Sequence, residues 1–174
     1  MAVLPIITAP DPRLKVKCEP VAASDWTIAR LMDDMLETMY LAPGIGLAAP
    51  QVGVTKRVLV VDVSSKDGPR KPIRMANPET VWRSDALTVY EEGCLSLPEQ
   101  YAEVERPEKI RFRYLDEKGV LQEREAEGLL ATCIQHEMDH LDGIIFVDHI
   151  SALKRRMILR KLAKLKKHQA LAGD

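Results

Sequence analysis

The stretch GLLATCIQHEMDHLDG, residues 128–143, decides how the rest of the chain is read. Its apolar residues Leu129, Leu130, Ile134 and Leu141 predict a largely buried helix over residues 128–141. Within it, His136-Glu137-Met138-Asp139-His140 is an H-E-x-x-H pattern. Residues four apart share one helical face, so both imidazoles can reach one divalent cation. Glu137 sits beside the first of them, placed to act as a general base on a bound water. The plainer reading is a helix with two hydrogen-bonded histidines. Buried imidazoles need partners, and on this face a metal serves best.

A catalytic metal site needs three protein ligands and an open position. Downstream of the helix stand Asp142, Asp148 and His149. A Gly-x-x-His continuation is absent, because Ile144, Ile145 and Phe146 follow Gly143. Upstream, EEGCLSLP (residues 91–98) places Cys94 at the end of a strand in a glycine-softened turn. A thiolate there is a candidate third ligand, although a lone cysteine is commonly a small core residue. Cys133 belongs to the helix itself and reads as wall. A third segment, GIGLAAPQVG (residues 44–53), has two glycines two apart, which suits close approach to backbone. It lacks both the dinucleotide fingerprint and the lysine of a phosphate loop. Read locally, it is a tight turn with a solvent-facing Gln51.

Outward from these motifs, residues 1–24 are rich in proline (Pro5, Pro10, Pro12, Pro20) and read as an extended arm. Ser24 and Asp25 are candidate N-caps for a helix over residues 26–42. Its stripe of Ile28, Leu31, Met32, Met35, Leu36 and Met39 makes the methionines core filling. Residues 57–63 predict a buried strand, with further strands at 73–76, 80–83, 86–90, 102–105 and 110–115. A hairpin turn at 116–119 leads to a return strand over 121–126. A last helix is expected over about 151–169. Strands in the middle with helices before and after them predict an α+β fold, one domain over residues 1–174.

Composition agrees. The 174 residues are 46% hydrophobic and 29% charged, ordinary for a folded domain of this size. A formal net charge of -1 argues against whole-surface attraction to nucleic acid or membrane. No apolar run has the length of a membrane span, and the first ten residues lack the pattern of a signal peptide. Cys18, Cys94 and Cys133 are odd in number and scattered, which points to a reducing cytoplasm.

Taken together, GIGLAAPQ (residues 44–51), EGCLS (92–96) and QHEMDHLDG (135–143) resemble, in order, the three signature motifs of peptide deformylases. The resemblance implies a metallohydrolase that removes the formyl group from formyl-methionyl nascent polypeptides and releases formate. It makes Cys94, His136 and His140 the metal ligands. It gives Glu137 the acid/base role toward a metal-bound hydroxide, and Gln51 and the Leu95 N–H the oxyanion. It implies Fe(II), with Ni, Co or Zn able to substitute. The substrate backbone would pair with Ile45, Gly46 and Gly93. The methionine side chain would meet Tyr90, Glu92, Leu129, Thr132, Cys133 and His136, with Arg106 neutralising Glu92. Where some relatives carry an arginine that contacts substrate, this chain has Tyr101.

The segment from Lys154 onward carries eight basic residues, with no acid until Asp174. Leu153, Met157, Ile158, Leu162 and Leu165 form its apolar stripe. A solvated helix packed on the domain is one expectation. Docking on ribosomal RNA is the other, and the resemblance favours it. Two rival functions remain at this stage: another metallohydrolase such as a small endopeptidase, and a closed structural metal site in an RNA-associated protein.

Overall fold

The protein is seen here in a computed structural model that describes residues 2–172. The first helix, α1 (Trp26–Leu41), begins where the Asp25 carboxylate accepts from the N–H groups of Thr27 and Ile28. Two orphan donors are thereby satisfied, an effect worth about 1 kcal/mol. Its methionine stripe is core: Met32, Met35 and Met39 have no exposed surface.

Beyond α1 the chain builds a five-stranded antiparallel sheet. Its strands are β1 (Gly46–Ala48), β2 (Val58–Val61), β3 (Ile73–Arg83), β6 (Lys109–Leu115) and β7 (Leu121–Glu127), in the order β1-β2-β3-β6-β7. Between β3 and β6, β4 (Leu87–Cys94) and β5 (Leu97–Pro107) pair as a separate antiparallel hairpin. α2 (Gly128–Leu141) packs against β1, β2, β6 and β7 on one side and against β4 and β5 on the other. α3 (Ala152–Ala172) packs against β5 and the short 3-10 turn Phe146–His149.

β2 explains its own composition. Leu59 and Val61 belong to the core shared with α2, whereas Val58 and Val60 belong to the core shared with α1. Alternate side chains point to opposite faces, and both faces are covered, so no polar residue interrupts Val-Leu-Val-Val. A third core lies under α3 and contains Leu97, Val104, Phe146, Val147 and Leu162.

The architecture is the expected α+β, with differences in detail. Residues 44–53 are not a simple turn: they supply the edge strand β1 and a 3-10 turn, Ala49–Val52. The two strands expected at 73–76 and 80–83 are one, β3. Asn77 takes a positive φ of 49°, and its amide both accepts from the Val21 N–H and donates to the Val21 carbonyl. The local register shift lets the strand run through Pro78. β4 and β5 are longer than expected because they continue to a tight turn at Leu95 and Ser96. On α3 only Leu162 is buried, while Leu153, Met157 and Leu165 stay exposed. β5 and the Phe146–His149 turn cover too little of the helix to take the whole stripe.

Candidate metal centre

β4 delivers Cys94 at its last residue, where the hairpin turns and faces the middle of α2. There His136 and His140, one helical turn apart, share a face. Ligand atoms of Cys94, His136 and His140 all lie within 4.8 Å of one another. Cys94 Sγ is 3.3 Å from His140 Nε2. On His136 the other ring nitrogen, Nδ1, lies 2.8 Å from Glu92 Oε1, which leaves Nε2 for the centre. A metal-binding imidazole characteristically donates its second N–H to a carboxylate in this way. One sulfur and two imidazole nitrogens suit a divalent transition ion, and three ligands leave a position open. This is the one cluster of its kind among the described residues, and it contains no fourth protein ligand.

The surroundings treat the two imidazoles differently. Burial alone would depress His136, yet the charge of Glu137 and the bonds with Cys94 and Glu92 raise it well above its ordinary range. Burial, reinforced by His136, holds His140 well below that range. The two imidazoles sit in different surroundings: His136 Nδ1 is paired with Glu92, whereas His140 Nδ1 has no partner among the described residues.

Glu92 is buried and would resist ionisation there. Hydrogen bonds from His136 and Arg106 outweigh that burial and keep its carboxyl below the usual value. The Arg106 guanidinium grips it with two bonds of 2.7 and 2.9 Å. The remaining Arg106 nitrogen donates to Asp139 at 2.9 Å, and Asp139 lies 2.7 Å from His149 Nε2. A chain of hydrogen-bonded side chains, His149, Asp139, Arg106 and Glu92, therefore runs from the surface to the back of His136.

Three buried groups of the centre lack a partner for one atom among the described residues, Glu137 Oε1, Thr132 Oγ1 and His140 Nδ1, and of these Glu137 is the carboxylate. It is 4% exposed, and its Oε1 has no hydrogen-bond partner among the described residues. Burial pushes its carboxyl up to about 7. A buried, unpaired carboxylate oxygen is costly, and this one belongs to a residue lining a cleft, where it can bond to a group that enters. Gly46 lies against it: a Cβ there would stand 2.5 Å from Glu137 Oε2 and 2.9 Å from Cys133 Sγ.

Gln51 is not the solvent-facing residue of the local reading, being 1% exposed. Its Oε1 accepts from the Ala48 N–H at 2.9 Å, and its Nε2 donates to Ser96 Oγ at 3.0 Å. That fixes the amide with Nε2 turned to the centre, 3.4 Å from Cys94 Sγ.

All this faces a cleft of about 600 Å³. The structure gathers around it Ile45, Gly46, Gln51, Tyr90, Glu92, Gly93, Cys94, Leu95, Leu129, Thr132, Cys133, His136 and Glu137, with His140 beneath. It does not bring the downstream candidates. Asp142 pairs with Arg57, Asp148 with Lys15 and Arg155, and His149 with Asp139. Sequence reasoning missed three participants: Ser96 as the brace of Gln51, Asp139 as the second anchor of Arg106, and Glu99 at the cleft mouth. An acid such as Asp139 on an otherwise buried helix was the one signal available.

Comparison with known proteins gives a consistent result. The family model described as Polypeptide deformylase matches residues 3–156. A peptide deformylase of Methylocella silvestris is 57% identical over 98% of this chain and 88% of its own length. One of Rhizorhabdus wittichii is 56% identical, covering 99% of this chain and all of its own. Among solved structures, peptide deformylase from Ehrlichia chaffeensis superposes with a TM-score of 0.91 at 39% identity, covering 97% of this chain and 99% of that one. A second structure from the same organism, in complex with actinonin, has a TM-score of 0.90 at 42% identity, covering 94% and 98%.

Proposed function

The chain belongs to the polypeptide deformylase family, metal-dependent hydrolases that remove the N-terminal formyl group from nascent polypeptides, and we propose how its residues share that work. The observation that carries the proposal is the partnerless Glu137 Oε1 beside the Cys94, His136 and His140 cluster. Cys94, His136 and His140 hold the metal, Fe(II) natively, with Ni, Co or Zn as substitutes. Once bound, a divalent ion polarises the formyl oxygen and makes water more acidic.

The remaining chemistry falls to the chain. Glu137 accepts a proton from the attacking water at its free oxygen as the new C–O bond forms. It then passes that proton to the departing nitrogen as the C–N bond breaks, so formate leaves and a free amine remains. The Gln51 amide and the Leu95 backbone N–H donate to the carbonyl oxygen as its charge grows. Loss of one such donor costs about 100- to 1,000-fold in rate. Ala48 and Ser96 already hold the Gln51 amide in place, so only the N–H that faces Cys94 Sγ has to turn to the carbonyl oxygen.

β1 is the outermost strand of its sheet, and its outer edge borders the cleft. An extended peptide adds there by strand pairing, against Ile45 and Gly46 on one side and Gly93 on the other. The methionine side chain enters between Tyr90, Leu129, Thr132 and Cys133, with Glu92 neutralised behind them by Arg106. The residues act as one catalytic domain. α3 docks the enzyme on ribosomal RNA, and the site of action is the cytoplasm. In support, the three cysteines are free thiols, and no described helix is long and apolar enough to cross a membrane.

Glu137→Gln tests the assignment. The amide keeps the shape but cannot take the proton, so metal content should match wild type while formate release falls by at least about 100-fold. Activity within about tenfold of wild type would remove Glu137 from the proton path.

A further inference from the structure

The inner cleft is accounted for by methionine and the formyl group, but its mouth is not. Glu91, Glu99 and Tyr101 also line it, and among its described lining residues there is no lysine or arginine. Neither Glu91 nor Glu99 joins an ion pair among the described residues, in contrast to the buried Glu92. Glu91 stands directly opposite Glu103 across the hairpin, like charge against like, an arrangement that weakens a strand pair until a cation relieves it. Glu99 is exposed and holds a positive φ of 62°, a backbone region that few non-glycine residues adopt. Tyr101, 64% exposed, lies across Gly93: a Cβ on that glycine would meet the ring at 2.6 Å. An exposed aromatic ring in a cleft mouth that also carries two unpaired carboxylates is a setting that receives an alkyl-ammonium or guanidinium group.

We propose that Glu91, Glu99 and Tyr101 make this enzyme selective for formylated chains that carry lysine or arginine in the first positions after methionine. The carboxylates receive the cation, and the ring receives its stem and face. The proposal rests on reading this cleft as the peptide cleft. It deepens that reading, because the backbone pairing and methionine pocket are indifferent to charge beyond them. The effect belongs to binding, so it acts mainly on KM.

The test is formate release from formyl-Met-Lys-Lys-Ser, formyl-Met-Ala-Ala-Ser and formyl-Met-Glu-Glu-Ser by the metal-loaded enzyme. At low salt kcat/KM should fall in that order, with about tenfold between the lysine and glutamate peptides, the scale of exposed ion pairs acting together. The ratio should shrink towards one at about 1 M salt, where the screening length is about 3 Å. In the double variant Glu91→Gln, Glu99→Gln the ratio should collapse to about twofold or less. Lysine and glutamate peptides turned over alike at low salt would overturn the selectivity, as would an undiminished ratio in the double variant. Absence of formate from all three peptides would instead overturn the peptide-cleft reading, and this proposal with it.

Discussion

Cys94 and Cys133 both present sulfur to one cleft, yet their surroundings separate them. Cys94 Sγ sits against His140 Nε2 and the Gln51 amide, whereas Cys133 Sγ leans on the Ile45 carbonyl at 3.5 Å. Burial pushes the Cys133 thiol well above its usual value, which keeps it protonated and a poor ligand. Cys94→Ser should therefore lower metal content or turn it away from soft-ligand ions, and Cys133→Ser should not. Metal analysis of both purified variants checks this, and equal content would show that the wrong cysteine has been chosen. At this scale the two histidines were legible as candidate ligands because H-E-x-x-H encodes its own geometry through helical spacing, whereas the choice of Cys94 came from the resemblance. So did the role of Gln51, which the local reading left facing solvent. Its burial depends on Ser96, 45 residues away, and no local pattern reports a contact formed only when β4 and β5 close over the cleft.

Elements place these residues, and one tight juncture is β1 against α2. Gly46→Ala would put a methyl group 2.5 Å from Glu137 Oε2, so the carboxylate must move. Metal content should hold while turnover drops by about 100-fold, since a displacement near 1 Å is enough for that. Turnover within about twofold would mean that the Glu137 position is not critical. The other juncture is Arg106, on β5, which holds Glu92 of β4 and Asp139 of α2 together. Arg106→Leu strands a buried carboxylate and should cost about 3–5 kcal/mol. For a chain of this length that lowers Tm by roughly 10 °C or more, readable by thermal denaturation. Changing Glu92 to Leu in the same protein should restore part of the loss. α2 was readable to the residue because its apolar period, its glycine at the start and its motif agree. β1 was unreadable: three residues carry no period, and their pairing with β2 becomes visible only in three dimensions.

Over the whole molecule, the formal net charge of -1 conceals a polar distribution. Arg156, Arg160, Lys164 and Lys167 are exposed, and their spacings of four, four and three put them on one side of α3. Leu162 faces the opposite way, into the third core. Lys166 shares that inner side, and its ammonium donates to the carbonyls of Thr8 and Pro10 at 2.8 and 3.0 Å. Truncation from Leu162 would therefore damage the fold, and reversal of Lys166 would confuse structure with docking. Reversing Arg160, Lys164 and Lys167 to Glu avoids both. Ribosome co-sedimentation should then fall and lose its salt dependence, with formyl-peptide turnover unchanged. Undiminished co-sedimentation would leave α3 as scaffold. The most direct test of the central claim uses the full protein, prepared without oxygen and loaded with metal. It is given formyl-Met-Ala and, separately, an unformylated peptide with internal bonds only. Formate should appear from the first in proportion to bound metal, and the second should remain intact. Cleavage of the second without formate from the first would contradict the account and make this centre that of an endopeptidase.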